Sequence, residues 1–334
     1  MKNLFNLQLF TTNMNVNTTT SGTEEAATHT LQPTMKTFYK TSLLQNARNE
    51  HYFNQFGMKQ PLPKNNGKKV EWRKFDTFAP ALTPLTEGVT PDGNKLNMTR
   101  LEAEIHQYGD YTTVSDRLEL EAVDPIIQAA TEEHGAQAGD TLDIITRNEV
   151  VAGTNVIYAG AKTSRSALTS SDKITATLIN QAVTQLKKMH APKINGDYVA
   201  IIHPSVAYDL RESEGWMEVH KYAQPGEIYN GEIGKLHGVR FVEDSMQKVW
   251  KAGASSAAVY ATTIMGKDAY GIIDPSAESL EVIVKQKGSA GTADPLDQRS
   301  TVGWKASHAA KMLYQERLVR IESGSFYSDV DEEN

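Results

Sequence analysis

The chain has 334 residues, of which 39% are hydrophobic, 22% charged and 8% aromatic, enough to bury one large core or two modest ones. No apolar run approaches the roughly 20 residues of a membrane span, and the absence of cysteine excludes disulfides and thiolate metal sites and suits a reducing cytoplasm. A formal net charge of −7 argues against a dedicated nucleic-acid binder, though not against a protein that surrounds DNA without gripping it.

Residues 1–30 are rich in Asn, Thr and Ser and read as a flexible arm that cannot bury enough apolar surface to order itself. The start, MKNLFNLQLFTT, has one lysine and no small-residue cleavage site, so no signal peptide is expected. Residues 33–56 place Met35, Phe38, Tyr39, Leu43 and Leu44 at helical spacing, then Tyr52, Phe53 and Phe56. Such a greasy helix lies either on its own domain or on a neighbour. Pro61-Leu62-Pro63 ends it, and Asn66-Gly67 marks a turn. KKVEWRKFDTF then reads as a strand carrying Val70, Trp72 and Phe78 among charges, and Pro80, Pro84, Gly88, Pro91 and Gly93 mark an irregular tip. The chain returns with Leu101, Ala103 and Ile105 alternating with Glu102, Glu104 and His106. Residues 64–110 are thus expected to form one long charged hairpin, which is marginal alone and leans on something else.

A short helix over 116–122 leads into the stretch 124–154. Asp124 can cap a helix that has Pro125 at its first position. Small or apolar residues recur at Ile127, Ala130, His134, Ala138, Leu142, Ile145 and Ala152, with Glu132 and Glu133 near the positive dipole end, Arg147 near the negative end and Gly153 as the stop. The spacing predicts a spine helix of roughly 42 Å; the alternative is a core helix kinked or split at Gly135 or Gly139. Strands and helices then alternate. A helix is expected over 174–190, a buried strand at Tyr198–Ile202 and a helix over Pro204–Arg211. A turn-rich stretch over 214–238 is followed by strands at 239–242, 257–264, 271–273 and 280–284. Residues 298–324 read as two strands, or one long bent one, returning to the spine, and the tail SDVDEEN as acidic and frayed.

No catalytic template is filled. Gly226, Gly231, Gly234 and Gly238 precede a strand and build turns, and Gly266-Lys267 is followed by Asp268, so neither makes a phosphate loop. The nine histidines show no metal spacing. His203, at a strand end before Pro204, is the most site-like, and with Asp209 or Glu212 it is the candidate for a hydrolase. The hairpin lysines Lys64, Lys68, Lys69 and Lys74 suit a basic patch, cross-linking groups or a solvated strand face. The chain reads as a non-enzyme with no cofactor or metal.

The order of parts, together with several stretches of wording, carries a resemblance. These stretches are VSDRLELEAVD (114–124), DIITRNEVVAGT (143–154), DYVAIIHPSVAYDLR (197–211), GEIGKLHGVRFVED (231–244) and AAKMLYQERLVRI (309–321). They resemble tailed-phage major capsid proteins with the Hong Kong 97 fold, and more narrowly the coat proteins typified by coliphage N-four. The opening NLQLF also resembles a common start among phage coat proteins of Gram-positive hosts. The resemblance implies an α+β capsid fold. Its parts would be an N-terminal arm (1–63), an E-loop hairpin (64–110), a P-domain with the spine helix (111–156), a mixed α/β A-domain (157–292), and P-domain return strands with the acidic tail (293–334). It implies copies assembling into pentamers and hexamers of an icosahedral head, built in the cytoplasm of a bacterial host around double-stranded DNA bound without sequence specificity. Scaffolding, portal and decoration proteins are the implied partners, and no membrane is involved. An encapsulin-like compartment shell is the alternative. Contact between copies is expected at Phe38, Tyr39 and Phe53 of the arm, and at Lys68, Lys69, Trp72, Lys74 and Leu85 of the hairpin. The resemblance implies that the stretch 214–238 supplies part of the A-domain loops around five-fold and six-fold axes, and Trp216, Tyr222 and Tyr229 are the contact candidates there. By location Lys68, Lys69 and Lys74 are also cross-linking candidates, with no acceptor identified.

Overall fold

A computed structural model describes residues 51–62, 67–90, 92–121, 126–213, 216, 232–275, 280–289 and 294–334. One helical turn, α1 (Phe53–Phe56), runs into a strand, β1 (Met58–Leu62). Pro61 hides this strand in the sequence, yet it is tolerated because among the described residues β1 pairs with β11 alone and so lies at the sheet edge. Next come β2 (Lys69–Phe75), β3 (Met98–Glu104), β4 (His106–Ser115), α2 (Asp116–Glu121), α3 (Ile126–Val151) and β5 (Val156–Tyr158). The chain continues through α4 (Ala176–Lys188), β6 (Tyr198–Ile202), α5 (Pro204–Arg211), β7 (Glu232–Leu236), β8 (Val239–Glu243), β9 (Val249–Trp250) and β10 (Val259–Met265). It ends with β11 (Tyr270–Pro275), β12 (Glu281–Lys285), β13 (Arg299–Met312) and β14 (Leu318–Ser323).

The first sheet has the order β1-β11-β13-β12, with β4 on the other side of β13. The second has the order β5-β14-β10-β6-β8-β7, with β9 also on β10. Among the described residues β2 and β3 pair only with each other. Their ladder runs from Lys69 opposite Glu104 to Phe75 opposite Met98, whereas His106–Ser115 pairs antiparallel along β13. The returning strand therefore changes partners at Ile105. The alternation of its residues continues across that point, so the sequence shows no break there.

α3 is one unbroken helix of 26 residues, about 39 Å long. Gly135 and Gly139 do not interrupt it, and at Gly139 the missing side chain leaves room for His51. The expected cap, Asp124 with Pro125, lies outside the described residues. The inner face is more polar than its apolar spacing indicates. His134, Ala138, Asp143, Thr146, Arg147, Val150 and Val151 are buried, while Ile127, Ala130 and Ile145 are half-buried and Ala152 is exposed. The polar residues bind the sheet beneath. Trp304 Nε1–H donates to Gln137 Oε1 (3.0 Å), His134 Nε2 meets Thr112 Oγ1 (2.9 Å), and His308 Nε2 meets Thr146 Oγ1 (2.9 Å). Ala138 packs on Trp304 and Ala306.

The second sheet carries the main core. Every residue of β6 is buried, and alternation divides its side chains between two faces. Tyr198, Ala200 and Ile202 meet Ile179, Ala182, Val183 and Leu186 of α4 and Val206, Ala207 and Leu210 of α5. Val199 and Ile201 share a cluster with Val150 of α3, with Tyr52 and Phe53, and with Tyr270, Ile272 and Met312 of the first sheet. One core thus ties both sheets together. α4 starts later than its apolar spacing suggests, because Thr175 caps it by accepting from Leu178 N (3.3 Å).

The tail is the clearest departure from expectation: it is held, not frayed. Asp331 accepts from Tyr260 Oη (2.7 Å), Ser205 Oγ (3.0 Å) and Ser328 Oγ (2.7 Å). Val249 N donates to Asn334 Oδ1 (3.0 Å), and Ala258 N to Asp329 O (2.9 Å). These partners lie 71 or more residues away for all but Ser328, which is why local composition gave no sign of them.

A buried charged joint closes the fold. Arg147 of α3 donates to Met246 O, beside the buried Asp244. Asp143 of α3 accepts from Asn54 N (3.0 Å). Burial pushes the Asp244 carboxyl up to about 6, and its Oδ2 has no hydrogen-bond partner among the described residues. A carboxyl raised on folding favours the protonated native state. Its stabilisation is complete below the ordinary carboxylate range and is lost as pH rises through about 6. Thermal unfolding at about pH 5 and pH 7 should therefore show a fall in stability that Asp244→Asn flattens, by about 1 kcal/mol. An unchanged slope in that variant would exclude Asp244 as the cause.

Candidate functional site

The hairpin is anchored at its base and bare at its tip. Val70 and Ala103 face Ile273 and Ala309 in a small core, with Trp72, Leu62 and Ile105 beside them. Trp72 packs against Gly271, where a Cβ would stand 2.8 Å from the indole ring, so only glycine permits the approach. On the opposite face the charges neutralise one another. Glu71 bridges Arg73 and Arg100, and these hold its carboxyl below the usual range, Arg100 more strongly. Lys68 pairs with Glu104 (2.6 Å) and Lys69 with Glu102 (3.9 Å). Lys74 reaches Glu316 (3.6 Å) and sits over the Tyr314 ring at 4.6 Å.

Beyond Phe75 the ladder stops, and residues 76–90 and 92–97 are all exposed. Among them Leu82 is 87% exposed and Leu85 79%, with Phe78, Val89 and Leu96 also open to solvent. The prolines explain the shape: each removes a backbone donor, so no strand pairing can persist.

A complementary feature lies on the first sheet. α3 covers the face carrying Trp304 and Ala306, and the opposite face of β4, β13 and β12 is open. It holds a groove of about 500 Å³ between Tyr111 and Ile283, floored by Gly109 and Gly303 and rimmed by Gln107, Lys285 and Lys305. A Cβ on Gly303 would stand 2.7 Å from both Asp110 O and Tyr111 Cβ, so side chains are excluded from the floor. Tyr111 is 70% exposed at the rim.

The expected contact residues divide into three sets. Phe38, Tyr39, Tyr222 and Tyr229 lie outside the described residues. Lys68, Lys69, Trp72, Lys74 and Leu85 are on the hairpin, where the lysines and Trp72 have partners within the chain and Leu85 projects into solvent. Phe53 and Trp216 are interior. Tyr270 Oη donates to Phe53 O, and Trp216 packs edge-on against Phe241 with ring centroids 5.7 Å apart. Tyr111, Ile283 and Leu82 were not singled out from sequence; the Gly109-Asp110-Tyr111 alternation beside a later Gly303 was their one trace.

His203 caps a helix. Its Nδ1 accepts from Ser205 N (3.2 Å), and its ring packs 4.9 Å from the Tyr260 ring. Burial lowers it to about 4 against the opposing pull of Asp331, so near neutral pH it is an uncharged acceptor. Asp209 accepts from Phe326 N (3.0 Å), and Glu212 closes the last turn of α5. Each of the three has a structural task.

A model of the family described as phage capsid protein matches residues 99–321. That match gives the capsid family and does not by itself distinguish the narrower coliphage N-four type. No curated protein matches the sequence. Solved capsid proteins share the fold. That of Ralstonia phage GP4 has a TM-score of 0.68 at 14% identity, covering 92% of this chain and 100% of its own. That of cyanophage P-SCSP1u has a TM-score of 0.67 at 14% identity, covering 97% and 100%. The cyanophage Pam1 capsid protein gives 0.67 at 14% identity, covering 92% and 100%.

The contrast between interior and projecting residues is measurable. Phe53→Ala should lower unfolding free energy by about 3–5 kcal/mol, and Leu85→Ser should leave it within about 0.5 kcal/mol. Denaturant titration reads both, and a large loss in Leu85→Ser would mean the tip packs on its own chain.

Proposed function

We propose, from the premise that this chain belongs to the phage capsid protein family, that it is the major shell subunit of a tailed-phage or prophage head. Its copies form pentamers and hexamers, and these close into an icosahedral wall around double-stranded DNA. One observation carries this reading: a single chain bears both an anchored arm with an exposed apolar tip and an open groove on a sheet face. Exposed apolar surface of this extent marks an interaction site. A tip from one copy seated in the groove of the next is a contact between unlike patches, which closes into rings when the rotation allows. Each leucine taken out of water adds about 1.5–3 kcal/mol, so a few per copy suffice when many copies join.

In this reading residues 64–110 are the reaching E-loop, 1–63 the arm along adjacent copies, 111–156 with 293–334 the P-domain, and 157–292 the A-domain. Scaffolding, portal and decoration proteins are the further partners, DNA is enclosed without sequence-specific contacts, and assembly takes place in the host cytoplasm. The self-neutralised charges on the hairpin support a sliding, reversible approach between copies before the tip seats, because paired surface charges contribute little net attraction.

Deleting residues 79–97 should leave the thermal transition unchanged and abolish closed shells and hexagonal sheets in negative-stain electron microscopy. Tyr111→Glu, which alters the groove without touching the arm, should do the same. Normal shell yield from both variants would refute the seating of tip in groove.

A further inference from the structure

The strands of the second sheet gather cations at one end. β6 and β8 are parallel, with Tyr198 opposite Val239, so both start at that end. β10 is antiparallel to β6 and finishes there, with Met265 opposite Val199, and β14 starts there, with Leu318 opposite Met265. The end therefore collects the last turn of α4, the turn 189–197, the turn between β7 and β8, residues 266–268, and the approach to β14. Direct contacts join these pieces. Lys267 N donates to Pro192 O (2.9 Å), Arg317 Nη1 to Lys267 O (3.1 Å), and Lys193 Nζ to Gly196 O (3.1 Å).

Seven cations lie here: Lys187, Lys188, Lys193, Lys235, Arg240, Lys267 and Arg317. The carboxylates at this end are Asp197, Asp268 and Glu316. Asp197 is taken by Lys235 (2.7 Å) and Arg240 (3.1 Å), and Glu316 is turned to Lys74 of the hairpin. Among the described residues Lys187, Lys188, Lys193 and Lys267 form no ion pair, and all four are exposed. The C-terminal dipole of α4 offsets about half a charge, less than Lys187 and Lys188 supply. In a chain of net charge −7 this is a pronounced local excess.

We propose that this basic end of the second sheet is a contact surface for the phosphate backbone of duplex DNA, an inference that rests on the shell function proposed above. The chemistry of the patch selects the ligand. Its open cations are lysines, which act as point charges, whereas the forked guanidinium of Arg317 is stacked on Tyr314 at 3.8 Å. The one ring beneath these lysines, Tyr198 under Lys193 at 5.6 Å, is buried and closed to a base, and lysines with no open aromatic face or forked donor hold phosphate without reading bases or stacking single strands. From β14 to β8 the patch is about 14 Å wide at strand spacing. A duplex presents one negative charge per roughly 1.7 Å of axis, so that width faces several phosphates. The rest of the molecule is acidic and repels the same polymer, which makes the contact weak, local and sensitive to salt. A container wall built this way touches its contents at one end of each subunit and slides elsewhere.

The test uses the full-length chain as dispersed subunits and a fluorescent duplex of about 30 base pairs, with anisotropy followed from about 25 to 200 mM NaCl. Binding should weaken with salt, with a log–log slope near −4 for about four phosphates. The variant Lys187→Glu/Lys188→Glu/Lys193→Glu/Lys267→Glu should bind at least about tenfold more weakly and lose most of that slope. The four Lys→Gln changes should weaken binding by an intermediate amount, which guards against misfolding as the cause. Lys162→Glu/Lys173→Glu, at other exposed positions, should bind as the unaltered chain does. Shells should still form from the four-Gln variant, which separates this proposal from the assembly reading. Undiminished binding by the four-Glu variant would overturn it. So would absence of duplex binding at low salt, binding of polyglutamate but not duplex, or loss of shells with DNA binding intact; the last two outcomes would mark the patch as a protein interface.

Discussion

The long helix α3 lying across β13 is the contact on which the other parts depend. It is not held by grease alone. Ala138 gives a flat seat under Trp304, and three directional hydrogen bonds, at Gln137, His134 and Thr146, fix where along the strand each turn of helix sits. Apolar packing tolerates sliding by a fraction of a turn, whereas a set of spaced donors and acceptors does not. Because α3 covers one face of β13, the alternation of the strand leaves Gly303 and its neighbours on the other, so the groove follows from the helix position. The same helix continues to the second sheet, where Val150 enters the shared core and Arg147 meets the loop at Met246.

The two charged regions of the surface follow different rules. On the hairpin every basic residue between Lys68 and Lys74, together with Arg100, has a carboxylate within 4 Å. That strand pair is electrically quiet, and its tip is distinguished by apolar area alone. At the basic end of the second sheet Lys235 is paired with Asp197, but Lys187, Lys188, Lys193 and Lys267 form no ion pair among the described residues. Net charge, a single sum, conceals both arrangements, which explains why −7 by itself says little about where the molecule attracts an anion.

Much of the fold is legible in the sequence where one local signal is enough. β6 is five apolar residues between Asp197 and His203, and α5 opens at Pro204 after a capping side chain; both appear where periodicity and capping place them. The spine helix is legible in length but not in facing, since Asp143, Thr146 and Arg147 are buried by partners from distant segments that no hydrophobic period reveals. β1, β5, β7 and β9 are short, and Pro61, Gly234 and Lys235 disguise them; they exist because a neighbouring strand offers an edge. Phe53 and Trp216 look like sticky surface until Tyr270 and Phe241 are placed beside them. The held tail is the same lesson, because Asp331 has no meaning until Tyr260 and Ser205 come to it. The capsid resemblance, by contrast, was carried by wording spread over residues 114–321, and the match over residues 99–321 rests on the same region.

One residue, Ile105, separates β3 from β4, so the arm leads directly into a strand that is bonded along ten positions of β13. That connection determines how the molecule bears mechanical load. A pull on the tip travels along β3 into β4 nearly parallel to the strands, and the ladder to β13 is then strained in shear, with all its bonds sharing the force at once. A pull across the strands would instead open the bonds one after another. β13 is also paired with β12 along Thr301–Lys305 and with β11 along Ala309–Met312, and α3 covers one face, so the strand that receives the tension is braced by several neighbours. The arm is a tether as well as a reaching element, and its strength under tension is that of a whole ladder.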